Sequence, residues 1–210
     1  SSKSRVDVSV KWDGAPALFV GINPENGKFF VGSKSVFGKN AKLNYSVGDI
    51  STNHSGGLAD KLKVAFEVLS PLRWNGIFQG DMMFLPRHLK KETIEDKPYV
   101  TFQPNTIVYA VPYKSADSIL SAKMGVVWHT SYSGKTMEGM TAKFGVTLSQ
   151  IPKTKEAWMQ DATYRDVSGT ATFNKKDTIA ITKILSNAGK VFQRPGSDLM
   201  CGLGMLQINR

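Results

Sequence analysis

The stretch VKWDGAPAL, residues 10–18, sets Lys11, Asp13 and Gly14 together at the end of a run, VDVSVKW (6–12), whose valines alternate as in a strand. An ammonium group on a mostly buried strand is desolvated, and desolvation favours the neutral amine, which is a nucleophile. Asp13 and Gly14 then turn the chain away. A second carboxylate, Asp81, falls beside Gly80 within the apolar run GIFQGDMMF (76–84). A carboxylate on a buried strand is costly unless a metal, a donor or a cation compensates it, so Asp81 is a candidate metal or ribose contact. His129, in VVWHTSYSG, either contacts phosphate and moves a proton near neutrality or takes a backbone partner at a strand end. His54 and His88 have no partner at zinc-ligand spacing. Neither a Walker-type glycine loop nor a serine-centred hydrolase elbow occurs in the sequence.

The elements that must position these residues are strand-rich early and helical in patches. After the first run come ALFVGI (17–22), the turn NPENG and KFFVGS (28–33), which together predict a three-stranded antiparallel start. Leu58, Leu62, Ala65, Phe66 and Leu69 recur at helical spacing in residues 56–69, and Pro71 stops that helix. Runs at 76–84, 105–111 and 124–130 read as central strands. The charge-dense HLKKETIEDKP (88–98) reads as an exposed loop or short helix. Beyond residue 134, MEGMTAKFG and KKDTIAITKILSNAG read as helical and QRPGSDLMCGLG as loop. The expected fold is α+β, mainly antiparallel sheets with flanking helices. A core at 1–135 is followed by 136–210, as its C-terminal part or a small helical appendage.

With 210 residues and 41% apolar content the chain can bury a sizeable core. Lysine and arginine total 27 against 17 acids, a formal charge of +10, which favours a polyanionic partner such as nucleotide or nucleic acid. Cys201 is the only cysteine, so an intrachain cystine scaffold is excluded and a buried or incidental thiol is expected. No apolar run reaches membrane-spanning length, and SSKSRVDVSV lacks a signal peptide's apolar centre. A soluble, cytoplasmic protein is expected. The chain begins with Ser1 and not methionine, so upstream residues are expected to have been removed or left out.

Lysine followed by aspartate and glycine at this spacing resembles the first motif of the covalent nucleotidyltransferases, the superfamily of DNA ligases, RNA ligases and mRNA capping enzymes. The resemblance extends over residues 6–130. Ser33 and Lys34 stand where a second, basic motif is expected; Lys34 would hold a ribose or phosphate, or is a surface lysine. Gly80 and Asp81 match a third motif, and Tyr109 falls where an aromatic strand lies under the base, a place a core tyrosine fills equally well. Gly125, Val126 and Val127 match a fourth motif, but Met124 occupies its acid position, and Pro16 replaces an arginine that many ligases carry. For the final lysine pair, Lys175 and Lys176 are candidates, as is Lys143. Asp161 or Asp166 could replace the missing acid. The stretches VKWDGAPA, QGDMMF, TFQPNTIVYAVP and GVVWHTSYSG also resemble an uncharacterised phage-encoded family, which implies a viral source, with location in the infected host's cytoplasm or the virion.

What the ligase resemblance implies is a domain like the adenylyltransferase (ATP-grasp-like) domain of polynucleotide ligases. It would use ATP, or less readily GTP, with Mg2+ or Mn2+, form a lysyl-AMP on Lys11 and pass it to a DNA or RNA end, with Asp13 orienting Lys11 or a metal-bound water and Gly14 letting the backbone pass close to the nucleotide. The alternative is the same fold without catalysis, binding nucleic acid or serving in the virion. A third reading, a β-rich structural protein without a nucleotide site, predicts Lys11 in solvent and Asp81 against an arginine or lysine.

Overall fold

The computed structural model describes residues 9–37, 40–163 and 175–192. Contacts divide the chain into two units, 1–164 and 165–210. The first is α+β, with mostly antiparallel sheets and a few helices.

The predicted hairpin forms as β1 (Ala17–Ile22) and β2 (Phe29–Gly32). Asn23 closes its turn: the side-chain oxygen accepts from the Glu25 amide at 2.9 Å, and Gly27 supplies the positive φ of 70°. The run 6–12 does not supply the third strand. Residues 6–8 lie outside the described residues, and residues 9–12 carry only an isolated bridge, Ser9 to Thr163. The free edge of β1 is taken instead by β3 (Ile77–Phe84), a longer and more apolar run. The approach to β1 extends that pairing, since the Ala15 amide donates to Met82 O at 2.9 Å and the Met82 amide to Pro16 O at 3.0 Å.

Strand β7, Met124–Ser133, pairs with β3 along one edge. Its other edge is shared between β8 (Thr141–Phe144, antiparallel) and β9 (Ala157–Asp161, parallel). The sheet order is therefore β2-β1-β3-β7-β8, with β9 also on β7. The helix expected over 137–145 is absent, because its centre is β8; a four-residue element between Gly139 and Gly145 (φ 92°) is too short for helical periodicity to mean anything. Residues 136–163 thus complete the main sheet.

Two short helices, α1 (Val47–Asn53) and the predicted α2 (Gly56–Leu69), lie ahead of β3. Ala59, Leu62, Ala65, Val68 and Leu69 of α2 bury against Leu18, Val20, Phe78, Met82 and Trp128. Within 88–98 only His88 is helical, as the end of a single 3-10 turn (Pro86–His88), and the remaining residues are not an exposed loop. They make the hairpin of β4 (Lys90–Ile94) and β5 (Lys97–Phe102), turned by Glu95 and Asp96 at φ 49° and 60°, both in the left-handed region that two-residue hairpin loops require. Every residue of β4 is exposed, so no apolar alternation marks it. The run 105–111 is a strand only at its end, β6 (Tyr109–Pro112), an edge strand of this three-stranded sheet. Phe84 and Val127 of the main sheet meet Val100 and Phe102 of the small one, with Ile119 of α3 (Asp117–Leu120), in a second core.

In the second unit, α4 (Lys175–Phe192) forms where a helix was expected. Asp166 and Cys201 lie outside the described residues. Among the described residues no helix is long and apolar enough to cross a membrane.

Gly125 is buried on β7 directly opposite Phe84, and a Cβ there would fall on the Phe84 ring. Gly125→Ala should therefore cost about 1–3 kcal/mol of stability through overpacking, seen as a lower midpoint in chemical denaturation with an unchanged slope.

Candidate active site

On β3, Asp81 is half-buried and sits opposite Ala17 of β1 on one side and Val127 of β7 on the other. The β3–β7 register slips twice, between Met82 and Phe84 and between Gln79 and Gly80; at the second, Gln79 pairs with Thr130 but Gly80 with Trp128, so His129 is the extra residue of a bulge. Its main chain turns to β8 instead, its carbonyl accepting from the Gly145 amide at 3.0 Å. The bulge brings the His129 ring to Asp81, with Nε2 3.7 Å from the carboxylate and Nδ1 2.7 Å from Thr130 Oγ1. Gly80 permits this approach of β7, because a Cβ there would stand 2.5 Å from Val127 O.

Lys11, Trp12, Asp81, Val127, His129 and Phe144 line a cavity of about 350 Å³. A second cavity of about 370 Å³ is lined by Gly14, Ser33, Lys34, Leu58 and again Asp81. Asp81 is thus a wall of both. Lys11 is exposed in a loop and not carried on a buried strand, so the desolvation expected from the alternating valines does not apply to it. Its neighbours are fixed all the same: the Val10 amide donates to Ala162 O at 2.8 Å, and the Trp12 ring stacks on Tyr109.

Asp13 does not line either cavity. Its carboxylate accepts from the Asn105 side chain (2.8 Å) and the Thr106 and Ile107 amides (2.6 and 2.8 Å), and its own amide donates to Tyr109 Oη at 2.8 Å. The Ile107 amide above all, then Asn105, holds the Asp13 carboxyl below the usual carboxylate range. Asp13 therefore ties the loop bearing Lys11 to the loop between β5 and β6. Tyr109 is occupied as well: Trp12 stacks on it at 5.2 Å and 22°, and Phe102 at 5.4 Å and 18°. Its ring belongs to the protein's own aromatic column and offers no platform for a base.

Other expected residues divide plainly. Gly14 belongs to the site, because a Cβ there would collide with the Cβ of Asp81. Ser33 pairs with Ser35 Oγ at 3.2 Å, and Lys34 is exposed in the turn after β2. Gly125 is not at the site, being packed under Phe84, and Met124 points into the core on the α2 side, so the absent acid is missing from a position that does not face either cavity. Asp161 is committed to the Leu148 and Thr163 amides, and Lys143 is exposed on β8. Lys175 and Lys176 begin α4 in the second unit, Lys176 exposed. His54 contacts Asn44, and His88 accepts from the Leu85 amide at 3.1 Å. Asp81 meets a histidine, not an arginine or lysine.

Lys61 is a residue that the sequence pattern conceals. One turn beyond Leu58 on α2, its Nζ donates to Ala15 O at 2.9 Å, holding the turn after Gly14. Burial first, and then Arg87, push its ammonium below the usual lysine range. Its only sequence signal is a charge among the apolar positions of α2. For a divalent ion, the described residues contain no cluster of three histidine, cysteine or acidic side chains. A magnesium ion at Asp81 would be held by one carboxylate together with substrate phosphates and water, which is how that ion is often bound.

Residues 1–200 match the model of a family of unknown function, DUF6267, and the chain belongs to that family. No curated protein and no solved structure matches it.

Because the Asp13 pKa is lowered on folding, its contribution to stability is present above about pH 3.8 and lost as pH falls through the lower folded value. Asp13→Ala should speed amide exchange at Thr106 and Ile107 by about tenfold or more at neutral pH, with little change at Trp128 in the centre of the main sheet.

Proposed function

We propose that this protein is a nucleotidyltransferase that uses Lys11 as its nucleophile, in the manner of the covalent ligase and capping superfamily. The observation that carries this reading is the position of Asp81. It is a carboxylate shared by one cavity that holds Lys11 and His129 and another that holds Gly14, Ser33 and Lys34. That arrangement suits a nucleoside triphosphate, with its α-phosphorus beside Lys11 and its remaining phosphates toward Lys34 and Ser33. A metal ion bound there with the phosphates would neutralise their charge and polarise the reacting oxygens.

In the first step the Lys11 amine, having lost a proton to water or to His129, attacks the α-phosphorus. A P–N bond forms, the bond from that phosphorus to the oxygen of the departing group breaks, and pyrophosphate leaves. In the second step a 5′-phosphate oxygen of a DNA or RNA end attacks the same phosphorus, and the P–N bond breaks to regenerate the amine. The charge of +10 suits a polyanionic strand. Asp13 acts as a positioning residue, since its hydrogen bonds fix the Lys11 loop.

A second reading, nucleotide or nucleic-acid binding without transfer, is favoured by Asp13, whose carboxylate is occupied by the 105–107 loop. The two separate on incubation with α-labelled ATP and magnesium followed by denaturing electrophoresis. Transfer predicts acid-labile label on the parent and none on Lys11→Ala, with Asp81→Asn strongly reduced. Absence of label on a folded parent, with either ATP or GTP, selects binding alone.

A further inference from the structure

Tyr109, stacked upon by Trp12 and Phe102, leaves the base of a bound nucleotide without its expected platform. Phe144 is a different case. It ends β8 and is 78% exposed, far more than the other large apolar side chains among the described residues of the first unit, of which the next is Val108 at 56%. It lines the Lys11 cavity, and its ring lies nearly parallel to that of His129, at 20° with centroids 6.4 Å apart. Two carbon contact distances of about 3.5 Å add to about 7 Å, more than the 6.4 Å between these centroids, so the rings must move apart to admit one planar ring between them.

The His129 ring is held for such a role. Thr130 Oγ1 contacts its Nδ1, Asp81 stands 3.7 Å from its Nε2, and the β3–β7 bulge sets the main chain. Nδ1 is engaged by Thr130 at the ring edge while Asp81 lies on the Nε2 side beyond hydrogen-bond length, and the ring plane runs nearly parallel to that of Phe144. Phe144 is a hydrocarbon ring on an exposed edge strand, where a side-chain rotation can open the space that a ligand ring requires.

We infer that Phe144 and His129 form a stacking clamp for the nucleobase, which places the base at the β8 edge and the phosphates toward Lys11 and Asp81. This rests on the nucleotide reading above and adds to it the means of base recognition. Stacking senses a π-face and not a hydrogen-bonding edge, so the clamp accepts adenine and guanine alike. Phe144 is consequently a substrate-positioning residue whose loss weakens base binding without touching the phosphate contacts.

The test is calorimetric titration of the parent, Phe144→Ala and Phe144→Tyr with ATP, GTP and inorganic tripolyphosphate, each with magnesium. Phe144→Ala should weaken ATP and GTP equally, by about five- to a hundredfold. Tripolyphosphate affinity should be unchanged, and Phe144→Tyr should restore nucleotide binding. Since the side chain is exposed, folding of the alanine variant is expected and is checked by circular dichroism. ATP binding by Phe144→Ala equal to the parent's overturns the clamp, and with Lys11 labelled in that same variant the transferase reading survives it. A parent that binds none of the three ligands overturns both. Equal loss of ATP and tripolyphosphate affinity overturns the clamp by showing that Phe144 supports the whole site.

Discussion

The close passage of residues 13–16 across β3 is the constraint on which the rest of the first unit depends. Gly14 has no room for a side chain because Asp81 is already there, and the Ala15 and Pro16 backbone completes the pairing with Met82. Any larger residue at position 14 would lift the Lys11 loop away from the carboxylate. The loop is fixed from three sides: by β3 beneath it, by Lys61 reaching from α2 to Ala15 O, and by Asp13 and Trp12 engaging the small sheet. An exposed lysine is thereby mounted on backbone whose neighbours are hydrogen-bonded, the kind of scaffold-held loop on which functional residues are often found.

Around this contact the charges are sparse and specific. Asp81 is the carboxylate common to the two cavities, His129 is brought to it by a one-residue bulge, and Lys11 and Lys34 stand one in each cavity. The three glycines of the matched pattern have different duties. Gly14 admits Asp81, Gly80 admits the β7 backbone, and Gly125 admits the Phe84 ring. The first two shape the site; the third belongs to the core between the sheets. A pattern of residue types in one chain therefore mixes site and scaffold, and the distances separate them.

Much of the architecture could be read in the sequence because burial leaves a periodic trace. The β1–β2 hairpin, α2, β3, β7 and α4 all carry apolar periodicity strong enough to place them. The misreadings have a common physical origin in exposure. Strand β4 has no buried face, β8 is four exposed residues, and β6 is an edge strand preceded by exposed Ile107 and Val108. With no burial, alternation vanishes and charge or isolated apolar residues mislead. Conversely, the alternating valines before Lys11 promised a buried strand, yet Val10 is 40% exposed and Lys11 lies in a loop. In the site, Lys11, Gly14 and Asp81 were visible as chemistry-bearing residues. The pairing of Asp81 with His129 was not, since it depends on a register slip, and neither was the engagement of Asp13 by residues 92–94 positions later in the chain.

The shared carboxylate wall is tested most directly by a crystal structure with magnesium and an ATP analogue whose α–β bridge cannot be cleaved. The expected result is density that spans both cavities, with the α-phosphorus next to Lys11 Nζ and the Asp81 carboxylate facing the ion. An analogue bound elsewhere, or Lys11 directed away from it into solvent, would contradict the assignment of Lys11 as nucleophile and leave the family's chemistry to be sought at another surface.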